Sequence, residues 1–310
     1  MLWGQGSAEP LALIGRLIEQ RAALSGVRVF LTISFSDLLR PVHGDHIRFE
    51  ALGGLGRTAQ LAKAGLTDVY PTHFGAFCRD LAAGRFAFDV FMVQLAGPDA
   101  DGRYSLATDH GFALDAIRRA RVVIAEVNAA APFIAGTATV GAEDVDAMIR
   151  TARPLPEMPL AVPDAVDRAI AGHVLPFVED GTTIELGVGA VPSAILEGLA
   201  GHRDLGIHTG MMTDAVIDLM ERGAVTNARK PIDTGVTVAT ALFGSQRLYR
   251  AAPGLPIRLV PSSYALDVGT MARLDRFVAI NSAIEADLTG QVNAEYAGGR
   301  YVGAPGGHVD

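Results

Sequence analysis

Apolar positions in the first half of the chain switch between helical and period-2 spacing, which predicts helices and strands taking turns. Leu11, Ile14, Leu17, Ile18 and Leu24 recur at helical spacing, and Val27 to Ile33 reads as a strand rich in β-branched residues. Farther on, Phe88 to Leu95 predicts a strand, GPDADGRY a turn, Asp109 to Ala120 a helix, and Val122 to Val127 another buried strand. The second half repeats the style. Ala165 to Glu179, Pro192 to Leu199 and Met212 to Glu221 read as helices. Thr182 to Leu186, Leu205 to His208, Val236 to Leu242, Ile257 to Val260 and Phe277 to Ile280 read as strands. Between the halves, Pro154, Pro156, Pro159 and Pro163 crowd one segment. Proline fixes φ and removes a backbone donor, so neither a helix nor a central strand is expected there. The reading is an α/β protein of two related open domains, 1–153 and 164–310, joined by a proline-rich linker at 154–163.

Composition narrows the partners. The 310 residues carry a formal net charge of −8, and no Lys/Arg-rich run occurs. Neutralising phosphates requires clustered basic side chains, so nucleic acid is not an expected partner. No apolar stretch reaches the roughly 18–20 residues that span a bilayer, and the first residues, MLWGQG, lack the pattern of a secretory leader. Cys78 is the single cysteine, which excludes an intrachain disulfide and fits a small buried residue in a reducing, cytoplasmic setting.

Two segments echo each other: GQGSAEPLALIGRL at Gly4 to Leu17 and GVGAVPSAILEGL at Gly187 to Leu199. Each has two glycines one residue apart, a proline, and then a helical apolar pattern. Glycines ahead of a helix let backbone N–H groups approach a ligand at the positive end of the helix dipole. Both could equally be ordinary turns into helices. The second follows a strand directly, in TIELGVGAVPSAI, where open α/β sheets hold ligands. It is neither a Walker A loop nor a full dinucleotide fingerprint.

The segments GVGAVPSAILEGLAGHRDLGIHTGMMTDAVIDLMERGAVTNARK and RFVAINSAIEADLTGQVNAEYAGGRYVGAPGGHVD resemble the acetyl-CoA hydrolase/transferase family, the class I CoA-transferases. TDVYPTHFGAF, DVFMVQLAGPDADGRYSLA and ARVVIAEVNAAAPF extend the resemblance through the first half, and INSAIEADLTGQVNAE with the GG-x-VD ending is its most specific part. The resemblance implies ping-pong chemistry on a short-chain acyl-CoA, with coenzyme A as substrate and no tightly bound cofactor. An enzyme glutamate attacks the thioester, and a carboxylate acceptor or water completes the exchange. It places the CoA loop on Gly187, Val188, Gly189, Ala190 and Val191, a further CoA contact at Ile284, and the glycine amides near the thioester at Gly306 and Gly307.

The same mapping sets the family's glutamate nucleophile on Gly210, within Ile207-His208-Thr209-Gly210-Met211, and a common polar position on Leu266. A glycine cannot form an acyl anhydride. Glu285 is then the first substitute carboxylate to consider, with Glu185 and Asp214 next, and His208 is a candidate acid or base. Each has a bland alternative: Glu285 as a structural hydrogen-bonding acid, His208 as a packed strand-end histidine. Other readings are a catalytically silent CoA binder and one subunit of a split transferase.

Relatives open with a strand before the first glycine loop and continue past GG-x-VD. Against them, this chain is expected to begin at the loop and to carry a curtailed second domain. A homo-oligomer or a partner subunit completing that domain is expected. His43 and His46 have no third ligand nearby, so no metal site is expected, and Arg118, Arg119 and Arg121 read as a solvated helix end.

Overall fold

The computed structural model describes residues 1–24, 26–159 and 161–310. Its first sheet has seven strands: β1 (Leu2–Trp3), β2 (Val27–Leu31), β3 (Ile47–Ala51), β4 (Thr67–Val69), β5 (Val90–Leu95), β6 (Val122–Asn128) and β7 (Ala147–Thr151). They run in the order β4-β3-β2-β1-β5-β6-β7, with every neighbouring pair parallel. A second, five-stranded parallel sheet holds β8 (Thr183–Leu186), β9 (Gly206–Met212), β10 (Thr237–Leu242), β11 (Ile257–Leu259) and β12 (Phe277–Ile280), in the order β11-β10-β9-β8-β12.

Parallel strands need crossover segments, and helices supply them on both faces of the first sheet. Phe30, Phe77, Phe91, Leu95 and Phe112 fill one face, while Trp3, Ile14, Leu31, Phe49 and Leu61 fill the other. In the second sheet Ile184, Ile195, Ile207, Met212, Ile217 and Leu259 share one core.

Strand order reverses at corresponding places in the two sheets. β1 sits between β2 and β5, and β8 between β9 and β12, so each sheet has its switch point beside its own first strand. The two glycine loops follow those strands and lead into the helices Leu11–Gln20 and Ala190–Gly198. The sequence echo therefore marks equivalent positions in two related sheets.

Several element limits differ from the sequence reading. A strand precedes the glycine loop: Leu2–Trp3 pairs with β2 through Leu2 and with β5 through both residues, and is too short for periodicity to reveal. The helix expected from Asp109 starts at Ala113, because residues 109–111 cross to the second sheet: His110 N–H donates to Thr240 O at 2.9 Å, and Asp109 bridges Ala241. The helix from Ala165 ends at Val174, where Pro176 enters a 3-10 turn. β9 runs on to Met212, and its following helix starts at Asp214. Residues 152–159 and 161–164 form no regular element. Tyr249 OH donates to Pro156 O at 3.0 Å, and Met158 N–H to Gly244 O at 3.0 Å, which ties this segment to the second half.

A buried seam joins the halves. Ser7 Oγ donates to Leu242 O at 2.6 Å, Leu242 N–H donates to Thr108 O at 2.8 Å, and the Phe35 and Phe243 rings meet edge to face at 5.0 Å. Gly6 lies in this seam at φ +55, where a Cβ would come within 2.7 Å of the Phe243 ring. Among the described residues, no helix is long and apolar enough to cross a membrane.

Candidate active site

The C-terminal end of β8 passes into Gly187, whose N–H donates to Ile280 O of β12 at 3.2 Å. Gly189 then takes φ 130 and ψ −174, a backbone region open essentially only to glycine, and starts the helix Ala190–Gly198. Ser193 Oγ donates back to Gly189 O at 2.8 Å and holds the loop. Gly187, Val188 and Gly189, with Pro192 and Ser193, wall a groove of about 590 Å³ whose other side is Ser34, Phe35, Arg57 and Met158. Ala190 and Val191 form the first helical turn beside this groove and do not line it.

A smaller cavity of about 130 Å³ adjoins the groove, with Val188 in both walls. Gln5, Thr32, Leu52, Leu55 and Phe74 approach from the first half, and Glu185, Gly210, Met211, Thr240, Leu266 and Asn281 from the second. Gly210 leaves open space: a Cβ there would meet no atom within 4 Å, and its φ lies outside the left-handed range. Its carbonyl is fixed by Thr240 Oγ1 at 2.5 Å.

Gly306 and Gly307 close the cavity. Their segment is laid across the first half: Phe74 N–H donates to Gly306 O at 2.7 Å, Gly54 N–H to Gly303 O at 2.9 Å, and Gly75 N–H to Asp310 Oδ2 at 2.8 Å. The Asp310 carboxylate, which also pairs with His73, thus sits at the first turn of the helix Phe74–Ala82. Gly53 is required for this approach, since a Cβ there would stand 2.4 Å from Gly303 O.

The acids differ sharply. Glu185 is half-buried, and Asn281 Nδ2 donates to its Oε2 at 3.0 Å. Burial pushes its carboxyl up to about 7, against the lowering effect of Asn281. Asp214 faces the groove, but Ser245 holds both oxygens, through Oγ at 2.6 Å and N–H at 2.8 Å. Glu9 is buried outside the cavity, with Ser34 Oγ at 2.5 Å and the N–H groups of Phe35 and Ser36 at 2.9 and 3.0 Å.

The structure thus gathers Gly187, Val188, Gly189, Gly210, Gly306 and Gly307 around one groove and cavity. Three candidates from the sequence stand elsewhere. Glu285 and Ile284 are exposed at a small hairpin, Glu285–Ala286 against Val292–Asn293, where Asn293 Nδ2 donates to Glu285 Oε1 at 2.7 Å. An alternating pattern predicts a strand but not which neighbour it finds, and this one pairs only with its own return strand. His208 is buried, bonds Ala265 O through Nε2 at 3.0 Å, and lies beside Tyr264 and Phe277. Burial lowers its pKa, and it lines neither the groove nor the cavity. Asn281, absent from the candidates, could have been found from its place just past β12 at the switch point. His43 Nδ1 accepts from Arg40 N–H at 3.2 Å, and no cluster of three metal-ligating side chains occurs among the described residues.

Comparison with known proteins agrees with this architecture. Residues 1–162 match the acetyl-CoA hydrolase/transferase N-terminal domain and residues 244–310 its C-terminal domain. The chain is 28% identical to the 4-hydroxybutyrate coenzyme A transferase of Clostridium kluyveri, over 100% of this chain and 73% of that protein. It is 30% identical to the succinyl-CoA:cyclohexane-1-carboxylate CoA transferase of Geobacter metallireducens, over 97% and 69%. The crystal structure of RipA from Yersinia pestis superposes with a TM-score of 0.89 at 29% identity, over 96% of this chain and 70% of that one. With two domain matches, relatives of this similarity and a shared pair of sheets, the chain belongs to the acetyl-CoA hydrolase/transferase family.

Proposed function

We propose that this protein acts on short-chain acyl-CoA thioesters, with coenzyme A along the groove beside Gly187, Val188 and Gly189 and the acyl group in the adjoining cavity. One observation carries the reading. In a chain of this family, the loop at the switch point of the second sheet, the open position Gly210 and the pair Gly306–Gly307 meet at a single cavity. Gly189, whose N–H donates to no described partner, lines the groove at the start of the helix Ala190–Gly198, where the helix dipole suits an anionic ligand. Leu52, Leu55, Phe74, Met211 and Leu266 make an apolar surround of small volume, which suits a short hydrocarbon acyl group.

Either water takes the acyl group or an acceptor carboxylate takes the CoA, and no resident cofactor or metal takes part. We place the division at 1–153, 154–163 and 164–310, and the protein in the cytoplasm, as a homo-oligomer or with a partner subunit. The test is to incubate the protein with acetyl-, butyryl- and succinyl-CoA, with and without acetate, while following free thiol and CoA exchange. Free thiol without acceptor means hydrolysis, and acetate-dependent exchange means transfer. CoA binding without either would leave a silent binder and overturn the enzymatic reading.

A further inference from the structure

We propose that Glu185 is the general base of this cavity and that the acceptor it serves is water, which makes the protein an acyl-CoA hydrolase. The proposal rests on the acyl-CoA reading above. Among the described residues lining the cavity, Glu185 is the one acid. It lies near the end of β8, between β9 (Ile184 opposite Ile207) and β12 (Glu185 opposite Ala279), so both neighbouring strands fix its backbone. Asn281 orients the carboxylate through Oε2, whereas Oε1 accepts no hydrogen bond from the described residues. One oxygen is held and the other is free to receive a proton.

The space for the second reactant lies one strand away. Gly210 opens that wall, leaving room for a water molecule where a side chain would otherwise project. Other acids are committed elsewhere: Asp214 to Ser245, Glu9 to residues 34–36, and Glu285 to its own hairpin. Across the cavity, the N–H groups of Gly306 and Gly307 donate to no described partner, and donors of that kind can receive a developing oxyanion. A carboxyl that ionises near neutrality is also matched to proton abstraction at physiological pH.

The step balances as follows. Glu185 takes a proton from water as the water oxygen bonds to the thioester carbonyl carbon, whose oxygen becomes the oxyanion. Collapse re-forms the carbonyl and breaks the C–S bond, and the proton on Glu185 passes to the departing sulfur. The products are free CoA thiol and a carboxylic acid, which ionises to solvent.

The experiment uses the full chain with butyryl-CoA. The expected result is thiol release without acceptor, lowered about 10²–10⁴-fold in Glu185→Gln with CoA binding kept. A single turnover in ¹⁸O water should put label in the acid product and none in the Glu185 side chain. CoA binding with hydrolysis unchanged in Glu185→Gln, or with exchange that needs an added carboxylate, overturns the role of Glu185 and leaves the acyl-CoA reading intact. Label in Glu185 overturns it too, by showing a covalent anhydride. Failure of CoA to bind the wild-type protein removes both.

Discussion

Asn281 Nδ2 donates to Glu185 Oε2 at 3.0 Å, linking the two strands that flank the switch point of the second sheet. The bond stabilises the ionised carboxylate, while burial of Glu185 opposes ionisation more strongly and leaves the group near 7. Activity that depends on the ionised form should therefore rise with pH through about 7 and level off above it. Asn281→Ala removes a contact that lowers the pKa, so the rising limb should move to higher pH. A kcat/KM profile from pH 5 to 9 for both proteins measures this, and an unshifted limb would remove Glu185 as the titrating group.

Gly210→Glu should introduce acetate-dependent CoA exchange. Its Cβ meets nothing within 4 Å and its backbone lies outside the left-handed region, so a side chain can start from this position without backbone strain. A carboxylate there can attack the thioester directly. CoA exchange between butyryl-CoA and labelled acetate is the readout, with an unchanged melting temperature as the sign that the fold has accepted the residue.

Gly189→Ala should weaken both fold and ligand binding. The obstacle is torsional: at φ +130 an added Cβ would have Pro192 Cδ, 3.9 Å away, as its nearest neighbour, so space is available but the conformation is not. Such a backbone costs an L-residue about 1–3 kcal/mol. Denaturant midpoints should fall accordingly, and CoA affinity, followed by calorimetry, should drop because the loop re-forms off its groove-lining course.

Asp109 is buried in the seam, and burial raises its carboxyl to about 7, against a lowering hydrogen bond from Gln5. A folded-state pKa above the unfolded value of about 3.9 means the native state binds its proton more tightly. Its favourable contribution is full below about pH 4 and is lost as pH rises through about 7. Asp109→Asn should therefore gain stability relative to wild type between pH 4 and 8, on the order of a few kcal/mol. Thermal melts of both proteins across that range should diverge progressively, and parallel curves would contradict the burial argument.

Most of the second half was legible because β8, β10, β11 and β12 are compact apolar runs bounded by turn residues. The glycine echo, read as a sign of duplicated halves, falls at both switch points, where each chain segment makes a tight exit from a buried strand. β1 was not legible, because two residues carry no period, and its central place comes only from pairing with β2 and β5. β3, over Ile47, Arg48, Phe49, Glu50 and Ala51, carries a period-2 pattern with Ile47, Phe49 and Ala51 buried, and was missed only because five residues make a short alternation. The site was read in part. Gly187, Val188, Gly189, Gly210, Gly306 and Gly307 were singled out by the family resemblance and share one groove and cavity, whereas choosing among Glu185, Asp214 and Glu285 required the third dimension. Their surroundings differ: a cavity with one amide, a serine that takes both oxygens, and an outlying hairpin.

The seam at Ser7, Thr108 and Leu242 makes the two halves behave as a weld rather than a pair of jaws. Swinging them apart would exchange each of these hydrogen bonds for one to water, at a net cost of about 0.5–1.5 kcal/mol apiece, and would also part the Phe35 and Phe243 rings. With the seam closed, the way into the cavity from the groove runs by Val188, which lines both.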